Sequence, residues 1–390
     1  MGPPNAALRK DLSLAYFAAP DVKSSAPRNR RGWIGIVLLA VALVIGIVLS
    51  VLPAPYLIEQ PGPVFNTLGT NPFDGKKTPL ITIDGHETYP TKGSLDLLTV
   101  SVVGNQTQRP NWLEIVQAWF DPSKAVIPVQ EIYPTGVSNQ QVDQQNSADM
   151  EQSQKSAVTA ALAHEGYKVG TSITVAEVEK GLPAAGKLAK GDLIQSINGT
   201  QLTTNSDVDT LRALIAKNGA KPATIVYTVP GADLKPGESG LHTVKITPVE
   251  QQGTYLLGIA ATVDYDFPFK VTLKLADVGG PSAGQMFALG IIDKTTPGAL
   301  NGGKTVAGTG TITADGVIGA IGGIRQKMYG ARDAGATVFL APQSNCDEVT
   351  GHIPAGLSVY AVTTLNQSVK VLDTIADKGD TSKLPMCPVN

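Results

Sequence analysis

Few side chains in this sequence are placed to do covalent chemistry, and Ser282 is the first to single out. It lies in Gly280-Pro281-Ser282-Ala283-Gly284, a G-x-S-x-G run that leads into the helix-like stretch SAGQMFALGII. A serine at a sharp turn into a helix stands beside backbone N–H groups that lack partners in the first turn. Such donors can stabilise the oxyanion of a tetrahedral intermediate. An ordinary glycine-rich helix start has the same five-residue pattern, so the run alone does not decide. A hydroxyl nucleophile also needs a base. His352 is the only histidine after Ser282, and Asp347 lies between them, the chain order of an α/β-hydrolase. The IPAG run beside His352 suits a surface loop better.

Other chemistry-bearing patterns are weaker. Residues Gly298-Ala299-Leu300-Asn301-Gly302-Gly303-Lys304-Thr305 fit G-x-x-x-x-G-K-T. A phosphate-binding loop needs a strand before it and a helix after it. Here the order is reversed, so no ATP is expected. His86, His164 and His242 have no metal-ligand spacing, and two cysteines cannot build a zinc array or a disulfide-dense scaffold. No metal or other cofactor is expected. The formal charge is −2, and residues 53–390 hold 25 basic against 31 acidic residues, which argues against nucleic acid as a partner.

Downstream of Ser282 comes Thr309-Gly310-Thr311-Ile312-Thr313, then Asp315-Gly316-Val317-Ile318-Gly319-Ala320-Ile321-Gly322-Gly323-Ile324-Arg325-Gln326-Lys327. Together with Gly-Pro-Ser-Ala-Gly this closely resembles the proteolytic domain of the Lon protease family, whose enzymes use a Ser–Lys dyad. The resemblance implies that Ser282 is the nucleophile, that Lys327 is the general base and that Thr309 orients the lysine. Gly280, Pro281, Ala283 and Gly284 shape the turn. GSLDLLTVSVV at 93–103 is similar to an early strand of that domain, and 151–163 to its first helix. ATP-dependent Lon enzymes usually carry Asp three residues before the nucleophile, where this chain has Gly279. The resemblance implies a serine endopeptidase acting on protein or peptide substrates without ATP, and a homo-oligomeric ring.

The middle of the chain resembles the PDZ domain family over roughly 166–250. The residues that carry it are Gly181-Leu182-Pro183-Ala184, Gly191-Asp192-Leu193-Ile194 and Ile197-Asn198-Gly199, followed by a helix from about Asp207 to Lys217. PDZ domains take up an extended peptide by strand addition and hold its terminal carboxylate on backbone N–H groups. The counterpart expected for that loop is Gly166-Tyr167-Lys168-Val169-Gly170. A PDZ scaffold that binds peptides without cutting them is the competing reading.

The elements that position these residues alternate between helix and strand. After residue 255 the order is FKVTLKLA, SAGQMFALGII, VAGTGTITA, RQKMYGARDA, TVFLAP, LSVYAV and LNQSVKVLDTIA. Residues 136–150, rich in Gln, Asn and Ser, read as a loop. Trp33–Leu52 is twenty residues without a charge, the length that spans a bilayer at 1.5 Å per residue. Six basic residues (Arg9, Lys10, Lys23, Arg28, Arg30, Arg31) precede it against Asp11 and Asp21, and no Lys or Arg follows until Lys76. A cleaved signal peptide would have a shorter apolar core. The charge asymmetry puts the N-terminus in the cytoplasm and the bulk outside, on a single-pass anchor in the cell membrane. Cys346 and Cys387 then lie on the oxidising side and are expected to pair. The expected class is α+β. Its parts are a cytoplasmic tail 1–32, a transmembrane helix 33–52, a Lon-like domain beginning at 56–165, an inserted PDZ module at 166–250, the catalytic part 255–377 and a tail 378–390.

Overall fold

The structure is a computed structural model and describes residues 30–73, 75–231, 240–251, 253–275 and 278–389. Most of the expected tail 1–32 lies outside the described residues. The chain divides into two units, 1–51 and 52–390. The first contains α1 (Arg30–Val51). Within it, Gly32–Val51 has a mean hydropathy of 3.1 and none of its residues is buried inside the chain. That is long enough and apolar enough to cross a membrane.

The second unit begins with β1 (Tyr56–Asn66), β2 (Ile81–Asp84), β3 (Ser94–Val103), α2 (Trp112–Trp119), β4 (Ala125–Pro128), α3 (Val129–Ile132) and α4 (Asn139–His164). There follow β5 (Gly170–Val178), β6 (Leu193–Ile197), β7 (Thr200–Gln201), α5 (Val208–Asn218), β8 (Ala223–Thr228), β9 (Leu241–Ile246), β10 (Val249–Gln251), β11 (Thr254–Leu256), β12 (Ile259–Asp266) and β13 (Lys270–Leu273). The chain continues with α6 (Gly284–Thr295), β14 (Thr305–Gly308), β15 (Thr311–Ile312), β16 (Ile318–Gly319), α7 (Ile324–Asp333), β17 (Val338–Pro342), α8 (Cys346–Val349), β18 (Ser358–Val362) and α9 (Leu365–Ala376).

One mixed sheet has the order β18-β17-β14-β3-β1-β4, parallel from β18 to β3 and antiparallel beyond. Successive side chains of a strand point to opposite faces, and β3 shows the consequence. Leu97 joins the core with α4, α6 and α9, while Leu98 joins the core with α7. The sheet is therefore covered on both faces, as parallel strands require. A second sheet, β12-β5-β6-β8-β9, encloses its own core with α5, built on Ile173, Ile194, Leu211 and Ile225. Its edge strand β12 pairs with β5 from Ile259 to Asp266. The boundary expected at 250 therefore falls inside this module, because its last strand follows the hairpin β10-β11.

Residues 139–150, expected as a loop, are the first half of a 26-residue helix. Ser138 closes its start with a capping box to Gln141. Glutamine is a good helix former, and this half is largely exposed. Without an apolar face there is no 3.6-residue period to read. At the other end of the chain, Cys346 and Cys387 form a disulfide across a separation of 41 residues. The last residues run beside β18, where Ala361 N–H donates to Pro385 at 3.0 Å.

Candidate active site

Ser282 lies in the turn just before α6, and Lys327 lies in the first turn of α7, on the other side of the sheet. They meet beside the C-terminal end of β14. Open parallel sheets place ligands at such strand ends. Lys327 Nζ is 2.7 Å from Ser282 Oγ and 3.0 Å from Thr309 Oγ1, the first side chain beyond β14. Thr309 Oγ1 also donates to the Ser282 carbonyl at 3.0 Å, and Gly310 N–H donates to the same oxygen at 2.9 Å. The Ser282 backbone is thus held by the segment that holds the amine.

Lys327 is only 3% exposed. Burial pushes its amine down to about 7, against the upward pull of the Glu59 carboxylate. Ile324 and Met328, which flank the lysine on α7, are both fully buried in the apolar core on that face of the sheet. Glu59 on β1 lines the same cleft of about 690 Å³ as Ser282 and Lys327. Burial raises its own carboxyl, as do the nearby charges of Glu131 and Glu348, while Lys327 lowers it. The rest of the cleft near Ser282 is largely apolar, with Phe65, Leu97, Met150 and Val278. Among the described residues, the N–H groups of Ser282 and Ala283 donate to no partner within the chain. A helix start that keeps two such donors can receive an oxyanion.

Helix α4 supports this turn from outside. Ser153 Oγ donates to the Pro281 carbonyl at 2.8 Å, and Gly280 N–H donates to the Asn146 carbonyl at 2.8 Å. A Cβ on Gly279 would lie 2.6 Å from Asn146 Cβ, and one on Gly284 would lie 2.6 Å from Ile312. The first contact explains why a side chain at 279, such as aspartate, has no room while α4 stays in place. Glu59, Asn146 and Ser153 escaped the sequence reading. Nothing in their local pattern marks them, since each reaches the site only through the tertiary fold.

In the segment Gly166–Gly170, expected to receive a carboxylate, three N–H groups are already used: Gly166 donates to Ala163, Tyr167 to Leu162 and Val169 to Asn205 Oδ1. The Tyr167 hydroxyl pairs with His86 at 2.8 Å. Instead a cleft of about 830 Å³ opens between α5 and the edge strand β12, lined by Val208, Leu211, Ile215, Leu257 and Ile259. The chain signal for it is Leu256-Leu257-Gly258-Ile259, an apolar run turning at glycine into the last strand of the module. In the 298–305 run, Lys304 Nζ donates to the Ile375 carbonyl at 3.0 Å, and β14 follows rather than a helix. His352 Nδ1 pairs with the Thr350 carbonyl at 3.0 Å and lies outside the cleft around Ser282.

Comparison with known proteins bears on both halves. The profile of the Lon protease C-terminal proteolytic domain matches residues 276–374, and that of the PDZ domain matches 141–225. Over 95 residues, 24% of this chain, the sequence is 36% identical to Lon protease 2 of Herpetosiphon aurantiacus, covering 11% of that protein. It is 34% identical over 96 residues to Lon protease 1 of Sorangium cellulosum, covering 23% of this chain and 11% of that one. The chain thus spans about a tenth of the length of these relatives. Among solved structures, the PDZ domain of the SdrC-like protein from Listeria monocytogenes is 25% identical, covers 23% of this chain and 85% of its own, and has a TM-score of 0.18.

Proposed function

Starting from one chain that carries a Lon C-terminal proteolytic domain and a PDZ domain, we propose an endopeptidase in which Ser282 is the nucleophile and Lys327 the general base. The observation that carries this reading is a buried amine, held near pH 7 by its surroundings, at 2.7 Å from a serine hydroxyl. An ordinary lysine, with a pKa of about 10.4, is almost wholly protonated at neutral pH and cannot take a proton. One near 7 is about half neutral there, which suits a general base. Lys327 accepts the Oγ proton as Oγ attacks the peptide carbonyl carbon. The ammonium then returns that proton to the departing amine, leaving Ser282 acylated. Water attacks the ester with Lys327 taking its proton, and the ammonium then passes that proton to Ser282 Oγ as the C–Oγ bond breaks and the acid product leaves. The N–H groups of Ser282 and Ala283 stabilise the oxyanion, and Thr309 keeps the amine aimed. No step uses a nucleotide or a metal.

The cleft between α5 and β12 supports recruitment of peptides with apolar C-termini, since among the described residues β12 is an edge strand and the walls are apolar. Helix α1 acts as an uncleaved single-pass anchor, with the catalytic unit outside the cytoplasm. A C-terminal reporter active only in the cytoplasm should then stay silent, and an active one would reverse the orientation. The proteolytic reading is tested by labelling with a fluorophosphonate and locating the adduct. Modification at Ser282, lost in Ser282→Ala together with peptide cleavage, supports it. No labelling and no cleavage would leave a peptide-binding scaffold.

A further inference from the structure

Asp207 has no part in the chemistry above, yet it is the most heavily bonded carboxylate in the described chain. It is fully buried (0% exposed) and caps the start of α5, the helical wall of the peptide cleft. Oδ1 accepts from Thr210 N–H at 2.7 Å and from Thr210 Oγ1 at 2.8 Å, inside the module. Oδ2 leaves the module: it accepts from Ser156 Oγ of α4 at 2.9 Å and from Ala314 N–H at 2.7 Å. A cap needs only the first pair. The second pair ties the cleft helix to two elements that also hold Ser282.

Both ties reach the nucleophile within a few residues. Ser156 lies one helical turn from Ser153, whose hydroxyl bonds the Pro281 carbonyl. Ala314 lies two residues beyond β15, which continues from Thr309 and Gly310, the two residues bonded to the Ser282 carbonyl. The opposite wall of the cleft converges on the same stretch of α4. Tyr265 of β12 receives a hydrogen bond from Gln152 Nε2 at 3.2 Å. Gln152 and Ser156 therefore each hold one wall of the peptide cleft, and Ser153 between them holds the turn that presents the nucleophile. Burial, and then the Asp207 charge, push the Tyr265 hydroxyl up, so that contact stays neutral.

We infer that Asp207 is a positioning residue through which an apolar C-terminal peptide bound between α5 and β12 raises the turnover of Ser282. This rests on the proteolytic reading above. A peptide that packs against α5 and adds to β12 orders both walls together. That favours the arrangement in which Asp207 holds Ser156 and Ala314, and with them the Pro281 and Ser282 carbonyls. The contribution is to kcat, because the peptide does not occupy the cleft where the scissile bond lies.

The test uses the full-length protein in detergent micelles and a fluorogenic substrate whose C-terminus is amidated. The effector is a short peptide ending in Leu-Val with a free carboxylate, and its amide serves as control. In the wild type the effector should raise kcat at least about five-fold, the lower range of measured couplings, with KM nearly constant. Ser156→Ala, which leaves the Asp207 cap on Thr210 in place, should keep basal cleavage and effector binding, read by fluorescence anisotropy, yet lose the increase, and Asp207→Asn should lose the increase too. Should Asp207→Asn fail to fold, Ser156→Ala decides. Three results overturn the inference: an effector that binds without changing kcat, one that does not bind at all, or an increase that survives in Ser156→Ala. Cleavage that persists in Ser282→Ala would instead sink the proteolytic reading, a separate outcome.

Discussion

Replacing Lys327 by methionine should abolish cleavage and make the protein more stable, with a gain that depends on pH in a defined way. The lysine is buried and held at about 7 against 10.5 for a free side chain. A difference of about 3.5 units corresponds to about 5 kcal/mol at 1.36 kcal/mol per unit. Methionine of similar length removes this cost. It also forfeits the contacts of Nζ with Ser282 and Thr309, worth about 1 kcal/mol each. The expected net gain near pH 7 is about 3 kcal/mol. Above about pH 7 the folded lysine has released its proton, while the unfolded one keeps it up to about 10.5. The unfolded chain then binds more protons, so wild-type stability climbs with pH at about 1.4 kcal/mol per unit across that window. The variant lacks this climb. Between pH 7 and 9 its advantage should therefore shrink by about 2 kcal/mol, since at pH 7 the folded lysine is still about half protonated. Urea titrations of both proteins in micelles, followed by tryptophan fluorescence at several pH values, give the two curves. Parallel curves over pH 7–9 would refute the idea that Lys327 is buried in its neutral form.

Ser282→Ala should reduce peptide cleavage to background, and Lys327→Arg should be equally inactive because a guanidinium cannot become neutral; both are read with the amidated fluorogenic substrate. The acid limb of the kcat/KM profile should titrate near pH 7. Because Glu59 pulls the lysine upward, Glu59→Gln should move that limb to lower pH, and an unmoved limb would remove Glu59 from the site's electrostatics. His352→Ala should retain nearly full activity, whereas a large loss would favour the α/β-hydrolase order. Counting free thiols in the oxidised, denatured protein should find none, and reduction should lower stability by about 3–4 kcal/mol for a loop of this length.

The limits of sequence reading are clearest in α4. Its second half carries Val158, Ala161 and Leu162 at helical spacing and declares itself. Its first half shows no apolar period, because most of it faces solvent, so only the Ser138–Gln141 cap signals a helix there. That half nevertheless sets Asn146 against Gly279 and the turn that holds Ser282. The carboxylate receptor expected at Gly166–Gly170 meets the same limit. Loop composition there matches a carboxylate receptor, but whether its N–H groups are free depends on which neighbours accept them.

What the sequence determines by itself is local or contiguous. Twenty uncharged residues suffice for a membrane-length helix, alternation of apolar runs suffices for the mixed sheet, and the Gly-Pro-Ser-Ala-Gly turn marks Ser282 for scrutiny. The tertiary structure decides everything that depends on distance between remote residues. Ser282 and Lys327, 45 positions apart, are brought within hydrogen-bond reach because their helices start beside the same strand end from opposite faces of the sheet. The lysine amine is pushed down to about 7 because that packing excludes water from it, and no residue type encodes its own solvation. Asp207 follows the same rule: in the chain it is only a helix cap, and its bonds to Ser156 and Ala314 exist because the fold sets α5 against α4 and the β15 turn.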